Sequence, residues 1–79
     1  MNKTEEKLEK YRERLENGKA HKIKPKHVQK MINKLKTKEA DIEEDLKTVS
    51  KPEKRERLNT KLLTIRHRIE QAEWLLGQI

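Results

Sequence analysis

The side chains of this sequence that could do chemistry are histidines and carboxylates, which move protons or hold metals, and lysines and arginines, which hold anions. His21, His27 and His67 lack the i, i+4 spacing with an intervening acid that sets two imidazoles on one helical face around a metal. There is no Cys, which removes thiolate ligands, a thiol nucleophile and any disulfide framework. The only glycines are Gly18 and Gly77, too few for a loop that cradles phosphate. Asp and Glu are scattered through a chain that is 44% charged, so no pair stands out as acid and base. A chain of 79 residues also has little room for an enclosed ligand pocket. The expectation is a non-enzymatic protein with no catalytic residues, no metal and no cofactor.

The cations carry a clearer pattern. The net charge is +7 and the pI about 9.8, which favours acidic partners. Residues 19–38 hold eight lysines, His21 and His27, and no acid. Glu39, Asp41, Glu43, Glu44 and Asp45 follow at once, five acids in seven residues. An antiparallel fold brings that acidic block within reach of Arg55, Arg57 and Lys61, leaving the lysine block without partners. The stretch Ile23-Lys24-Pro25-Lys26-His27 also opens a helix without a Ser, Thr, Asp or Asn cap, where partial positive charge normally attracts anions. Lys26, Lys30 and Lys34 then follow one face at a spacing of four. Lys22, Lys24, Lys26, Lys30 and Lys34, with Arg68, are therefore the candidate anion-binding residues.

The partner expected for them is an acidic macromolecule, either a nucleic-acid backbone or an acidic protein surface. Base-specific reading is poorly supported. Tyr11 and Trp74 are the only aromatics, which gives no stacking platform for single strands. A long hairpin also differs from a helix-turn-helix reader. The alternative is a protein-interaction or oligomerisation module. Leu63 and Trp74 share a helical face about opposite the apolar seam of their helix; with Tyr11 they are the candidate interface residues. A small phage or mobile-element protein that inhibits a host complex would fit either pattern. The longest uninterrupted apolar run is three residues, Trp74-Leu75-Leu76, far short of the ~20 of a membrane span. The first residues also lack the apolar run of a signal peptide. No membrane partner and a cytoplasmic location are expected.

The elements that must position these residues are helices. Leu, Ile and Val make up 17 of 79 residues and Phe is absent, a composition close to that of disordered chains. The spacing of the apolar residues decides for order. Val28, Leu35, Ile42 and Val49 form a strict seven-residue repeat interleaved with Ile32 and Leu46, with Glu39 at a seam position. Leu58, Leu62, Ile65, Ile69, Ala72, Leu76 and Ile79 alternate steps of four and three, a coiled-coil seam. Ser50-Lys51-Pro52-Glu53 separates the two, with Ser50 and Glu53 placed as a capping box. Folding back there pairs Leu46 with Leu58, Ile42 with Leu62, Leu35 with Ile69 and Val28 with Leu76.

A shorter helix carries Leu8, Tyr11 and Leu15 on one stripe and ends at Asn17-Gly18. Its charges balance, five of each sign between Lys3 and Glu16. The predicted fold is one all-α domain over 1–79: helix 1 over 3–17, a linker over 18–24, helix 2 over 25–49, a turn at 50–52 and helix 3 over 52–78. It is a long antiparallel coiled-coil-like hairpin with helix 1 packed on it as a three-helix bundle, homodimerisation being the other way to complete so thin a core. Helix 1 is expected to cover Leu63 or Trp74.

Overall fold

A computed structural model describes residues 3–79. The order of elements is α1 (Lys3–Glu16), a single 3-10 turn (Ala20–Lys22), α2 (Pro25–Thr48) and α3 (Pro52–Gln78). At 1.5 Å per residue, α2 and α3 are about 36 and 40 Å long and α1 about 21 Å. The molecule measures 48 × 20 × 17 Å. It is an antiparallel α2–α3 hairpin with α1 packed against α3 over roughly half its length, a three-helix bundle.

The helix boundaries follow from a few residues. Lys24 and Lys51 each precede a proline, and the ring of Pro25 or Pro52 pushes the residue before it into the extended region. That is the backbone conformation of an N-cap: Lys24 has φ −88° and ψ 120°, Lys51 φ −79° and ψ 126°. Proline then occupies the first helical position, where its missing N–H costs nothing. Neither start uses a side-chain cap. The capping box expected of Ser50 and Glu53 does not form. With Pro52 at the first helical position the cap is Lys51, and Ser50 stands one residue too early to reach the free N–H groups.

α1 closes on a Schellman motif. The Lys19 N–H donates to the Arg14 carbonyl (2.7 Å) and the Gly18 N–H to the Leu15 carbonyl (3.2 Å). Gly18 takes the required left-handed conformation, φ 70°. The end of α2 is tied to α3 by a side chain, Arg55 Nη2 donating to the Val49 carbonyl at 3.1 Å. That bond satisfies one of the carbonyls a helix C-terminus leaves free.

The core has two clusters along the hairpin. At the open end, Ile23, Val28, Ile32, Ala72 and Leu75 are buried, with Leu8, Tyr11, Leu15, Leu76 and Ile79 packed around them. Towards the middle, Met31, Leu35, Ile65 and Ile69 are buried, with Leu8, Tyr11 and Ile42 against them. Val28 with Leu76 and Leu35 with Ile69 thus share clusters in the register the repeats dictate. Near the turn Ile42, Leu46, Val49 and Leu58 are only half-buried, because α1 does not extend that far.

Three details depart from the repeat. Leu75, 3% exposed, is the buried residue at the end of α3, while Leu76 is half-buried. α3 faces α1 as well as α2, so its buried arc is wider than a two-helix seam and shifts onto Leu75. Ile23 lies in the expected linker yet is 3% exposed, anchoring the stretch between the 3-10 turn and α2. Leu63 and Trp74 remain 67% and 56% exposed; α1 covers neither, since Leu8, Tyr11 and Leu15 are occupied on the two clusters.

Candidate anion-binding surface

Charge on the surface divides at Lys38. Beyond it, Glu39 sits at the edge of the seam and accepts a hydrogen bond from Arg66 Nε at 3.0 Å, while Glu43 accepts one from Arg66 Nη2 at 2.9 Å. These two hydrogen bonds, the one to Glu39 the stronger influence, hold the Arg66 guanidinium above its ordinary pKa. Lys47 lies 3.6 Å from Glu44. The acidic block therefore does have an intramolecular cation, but it is Arg66 rather than Arg55, Arg57 or Lys61. The register was enough to find it: setting Leu35 opposite Ile69 sets Glu39 opposite Ile65, one residue from Arg66.

Before Lys38 the picture reverses. Lys22, Lys24, Lys26, Lys30 and Lys34 are all exposed. Among the described residues, none of them enters an ion pair. The core of α2 is formed by Val28, Met31, Ile32 and Leu35. At about 100° per residue Lys26 points to the opposite side of that helix, and Lys30 and Lys34 are rotated progressively from it towards one flank. The first turn of α2 contains no acid, whereas the equally uncapped α3 has Glu53 in its first turn. Positive side chains thus meet the positive end of the α2 dipole with no internal counter-charge.

The remaining candidates are placed differently. Arg68 has a side chain only 13% exposed, hydrogen-bonded to Glu5 of α1, so its charge is already matched, unlike those of the lysines. Tyr11 packs on both core clusters and carries the Arg14 guanidinium over its ring at 5.9 Å. Leu63 and Trp74 stand on the side of α3 away from its buried stripe.

Two open grooves mark the flanks of the bundle. One, about 710 Å³, runs between α1 and α3 and is lined by Glu5, Leu8, Arg12, His67, Trp74 and Leu75 among others. The second, about 530 Å³, continues beyond α1 along the hairpin, between Leu35, Lys38 and Ile42 of α2 and Lys61, Ile65 and Arg68 of α3. None of the five candidate lysines lines either groove. Among the described residues no three His, Asp or Glu side chains are grouped as metal ligands, and no helix is long and apolar enough to cross a membrane. No protein-family model matches the chain, and no curated protein or solved structure does so either.

Proposed function

We propose that this protein is a non-enzymatic binding protein that engages an anionic macromolecule through the lysine-rich surface of α2, with Lys22, Lys24, Lys26, Lys30 and Lys34 as its contacts. The observation that carries the reading is the contrast at Lys38. Of the acids after it, Glu39 and Glu43 bind Arg66 and Glu44 pairs with Lys47, while the lysines before it are exposed and without ion pairs among the described residues. Unmatched like charges on one helix repel, and an external anion relieves the repulsion while releasing its own counterions.

Such binding weakens steeply with salt. Charge reversal by Lys30→Glu together with Lys34→Glu is expected to weaken binding to a labelled nucleic-acid duplex, or to polyglutamate, by at least about tenfold at roughly 0.1 M salt. The change is read by fluorescence anisotropy. Affinity that is the same at roughly 0.05 and 0.3 M salt would sink the proposal.

A second reading rests on Leu63 and Trp74, the two large apolar side chains left in water. They share a face of α3, and Trp is the residue type most enriched at interface anchors. An oligomerisation or protein-interaction surface there predicts a solution mass that rises with concentration in sedimentation equilibrium. Trp74→Ala abolishes that rise without disturbing the fold, since the side chain supports no core cluster. A monomeric mass at every concentration removes self-association through this face.

A further inference from the structure

Sorting the charges of α1 by direction rather than by number changes what that helix contributes. Leu8, Tyr11 and Leu15 point into the bundle. One flank turns to α3: Glu5 pairs with Arg68, and Glu5, Glu9 and Arg12 line the α1–α3 groove. At about 100° per residue the other flank, away from that groove, carries Lys3, Lys7, Lys10 and Arg14 at spacings of four, three and four. No acid falls within that row. Glu6 and Glu13 stand beside it on the outward face of α1.

α2 presents a matching row. Glu39 and Glu43 occupy the flank away from α1, bonded to Arg66. Lys38 is on the near flank, lining with Arg68 the groove that continues α1's path, where Asp41 and Asp45 end the cationic row. Lys34, Lys30 and His27 precede it along the same side at steps of four, four and three, all exposed. The two helices run antiparallel. Leu15 packs only on the cluster of Val28, whereas Leu8 also reaches that of Leu35. Arg14 therefore lies near the level of His27, and Lys3 and Lys7 near that of Lys34 and Lys38.

We infer that Lys3, Lys7, Lys10 and Arg14 of α1 and Lys30, Lys34 and Lys38 of α2 form the two lips of one cationic groove that binds a nucleic-acid phosphodiester backbone. This rests on the reading of the α2 lysines as an anion site and extends it to a second helix. The linear charge density supports the assignment. Seven cations lie along about eleven residues of rise, or about 17 Å, one per ~2.4 Å. The phosphates of a nucleic acid supply one charge per ~1.7 Å of duplex axis and one per ~3.4 Å along each strand. The absence of an apolar centre argues in the same direction. An interface with an acidic protein normally closes around buried apolar anchors, and the two exposed large apolar residues lie on the outer side of α3 instead. A cationic surface without apolar anchors suits a polyphosphate chain better than a folded acidic protein.

The test titrates the full chain with four fluorescein-labelled probes: a DNA duplex of about 20 base pairs, an RNA duplex, a single strand, and polyglutamate. The wild type is compared with Lys3→Gln/Lys7→Gln/Lys10→Gln in α1 and with Lys30→Gln/Lys34→Gln in α2. Gln keeps helix propensity and removes repulsion between the lips, and circular dichroism checks the fold of each variant.

The α1 triple variant is expected to bind nucleic acid about 10²-fold more weakly at roughly 0.1 M salt, with the slope of log K against log salt shallower by about 3. Binding to all three nucleic-acid probes, or preference for one, supports the groove and identifies which backbone it accepts. Loss of affinity in the α2 variant alone overturns the two-helix groove and leaves the anion surface standing. Binding of polyglutamate without any nucleic acid overturns the phosphodiester assignment, and binding of no probe overturns both readings.

Discussion

Replacing Ile32 by Ala is expected to lower the free energy of unfolding by about 3–4 kcal/mol, read from urea denaturation followed by helical circular dichroism. Ile32 is 2% exposed and is one of the two largest fully buried side chains. It sits among Ile23, Val28, Ala72 and Leu75, where α2, α3 and the approach to α2 converge. The cost combines the lost transfer of three carbons with the cavity they leave. A bundle 20 × 17 Å in cross-section has only one layer of side chains on each side of that cavity, and those are held by the packed helices. Single domains have about 5–15 kcal/mol in total, and one this small lies at the low end. The substitution therefore removes a large fraction of the stability. Ile32→Val, which deletes one methyl, is expected to cost about 1 kcal/mol. A loss under about 1 kcal/mol for the Ala variant would show that this cluster collapses around the gap and is not the tight centre described above.

The second large effect is expected outside any α-helix. Ile23→Ala should destabilise by about 2–3 kcal/mol, although the residue belongs to the connection between α1 and α2 by position in the chain. Its side chain is 3% exposed and closes the end of the bundle against Val28, Ala72 and Leu75. The backbone there is held in place as well. The Ile23 N–H donates to the Ala20 carbonyl at 3.0 Å, ending the 3-10 turn. Leu63→Ala is the matched comparison: an isomeric apolar side chain in a long helix, 67% exposed, whose loss is expected to stay within about 0.5 kcal/mol. Thermal melts of the two variants decide the matter. If Ile23→Ala melts with the wild type, the stretch is a solvated connector and Ile23 no anchor.

The contrast between Ile23 and Leu63 shows what periodicity can and cannot convey. Steps of four and three along 58–79 and the seven-residue repeat from Val28 mark two helices that run antiparallel, and the positions of Pro25, Pro52 and Gly18 mark where helices start and stop. These signals are local, or join residues through one shared register, and the structure follows them. Ile23 stands alone in a polar stretch, so no period includes it, and only the return of the chain from α1 to α2 brings it inside. Leu75 and Leu76 are adjacent leucines, and the two-helix seam selects Leu76. The third helix moves the buried arc onto Leu75, an effect that depends on where α1 packs. The capping box at Ser50 and Glu53 was the right residue types at the wrong offset, since Pro52 fixes the first helical position.

The surface divides in the same way. The run of lysines over 19–38 is visible as a run, because consecutive residues of one sign need no geometry to be noticed. The basic row on α1 is hidden by its own balance. Five positive and five negative charges between Lys3 and Glu16 sum to nothing, and the alignment of Lys3, Lys7, Lys10 and Arg14 on the flank away from Glu5 and Glu9 appears only once Glu5 is seen to face Arg68. Arg66 was likewise one cation among several until the register placed it beside Glu39.

α1 contributes no fully buried side chain of its own. It rests on the hairpin through the half-buried Leu8, Tyr11 and Leu15 and the Glu5–Arg68 ion pair near its start, and it is joined to α2 past the left-handed Gly18. Lifting it away leaves the α2–α3 pairing intact, so its release is a sub-global opening that costs less than unfolding the molecule. The backbone amides of α1 accordingly trade their protons with water ahead of those of α2 and α3. The bundle is thus two cooperative units in one short chain, a durable hairpin and a releasable arm. Anything gripping both lips of the cationic groove would fasten the arm down, drawing the two units into a single transition.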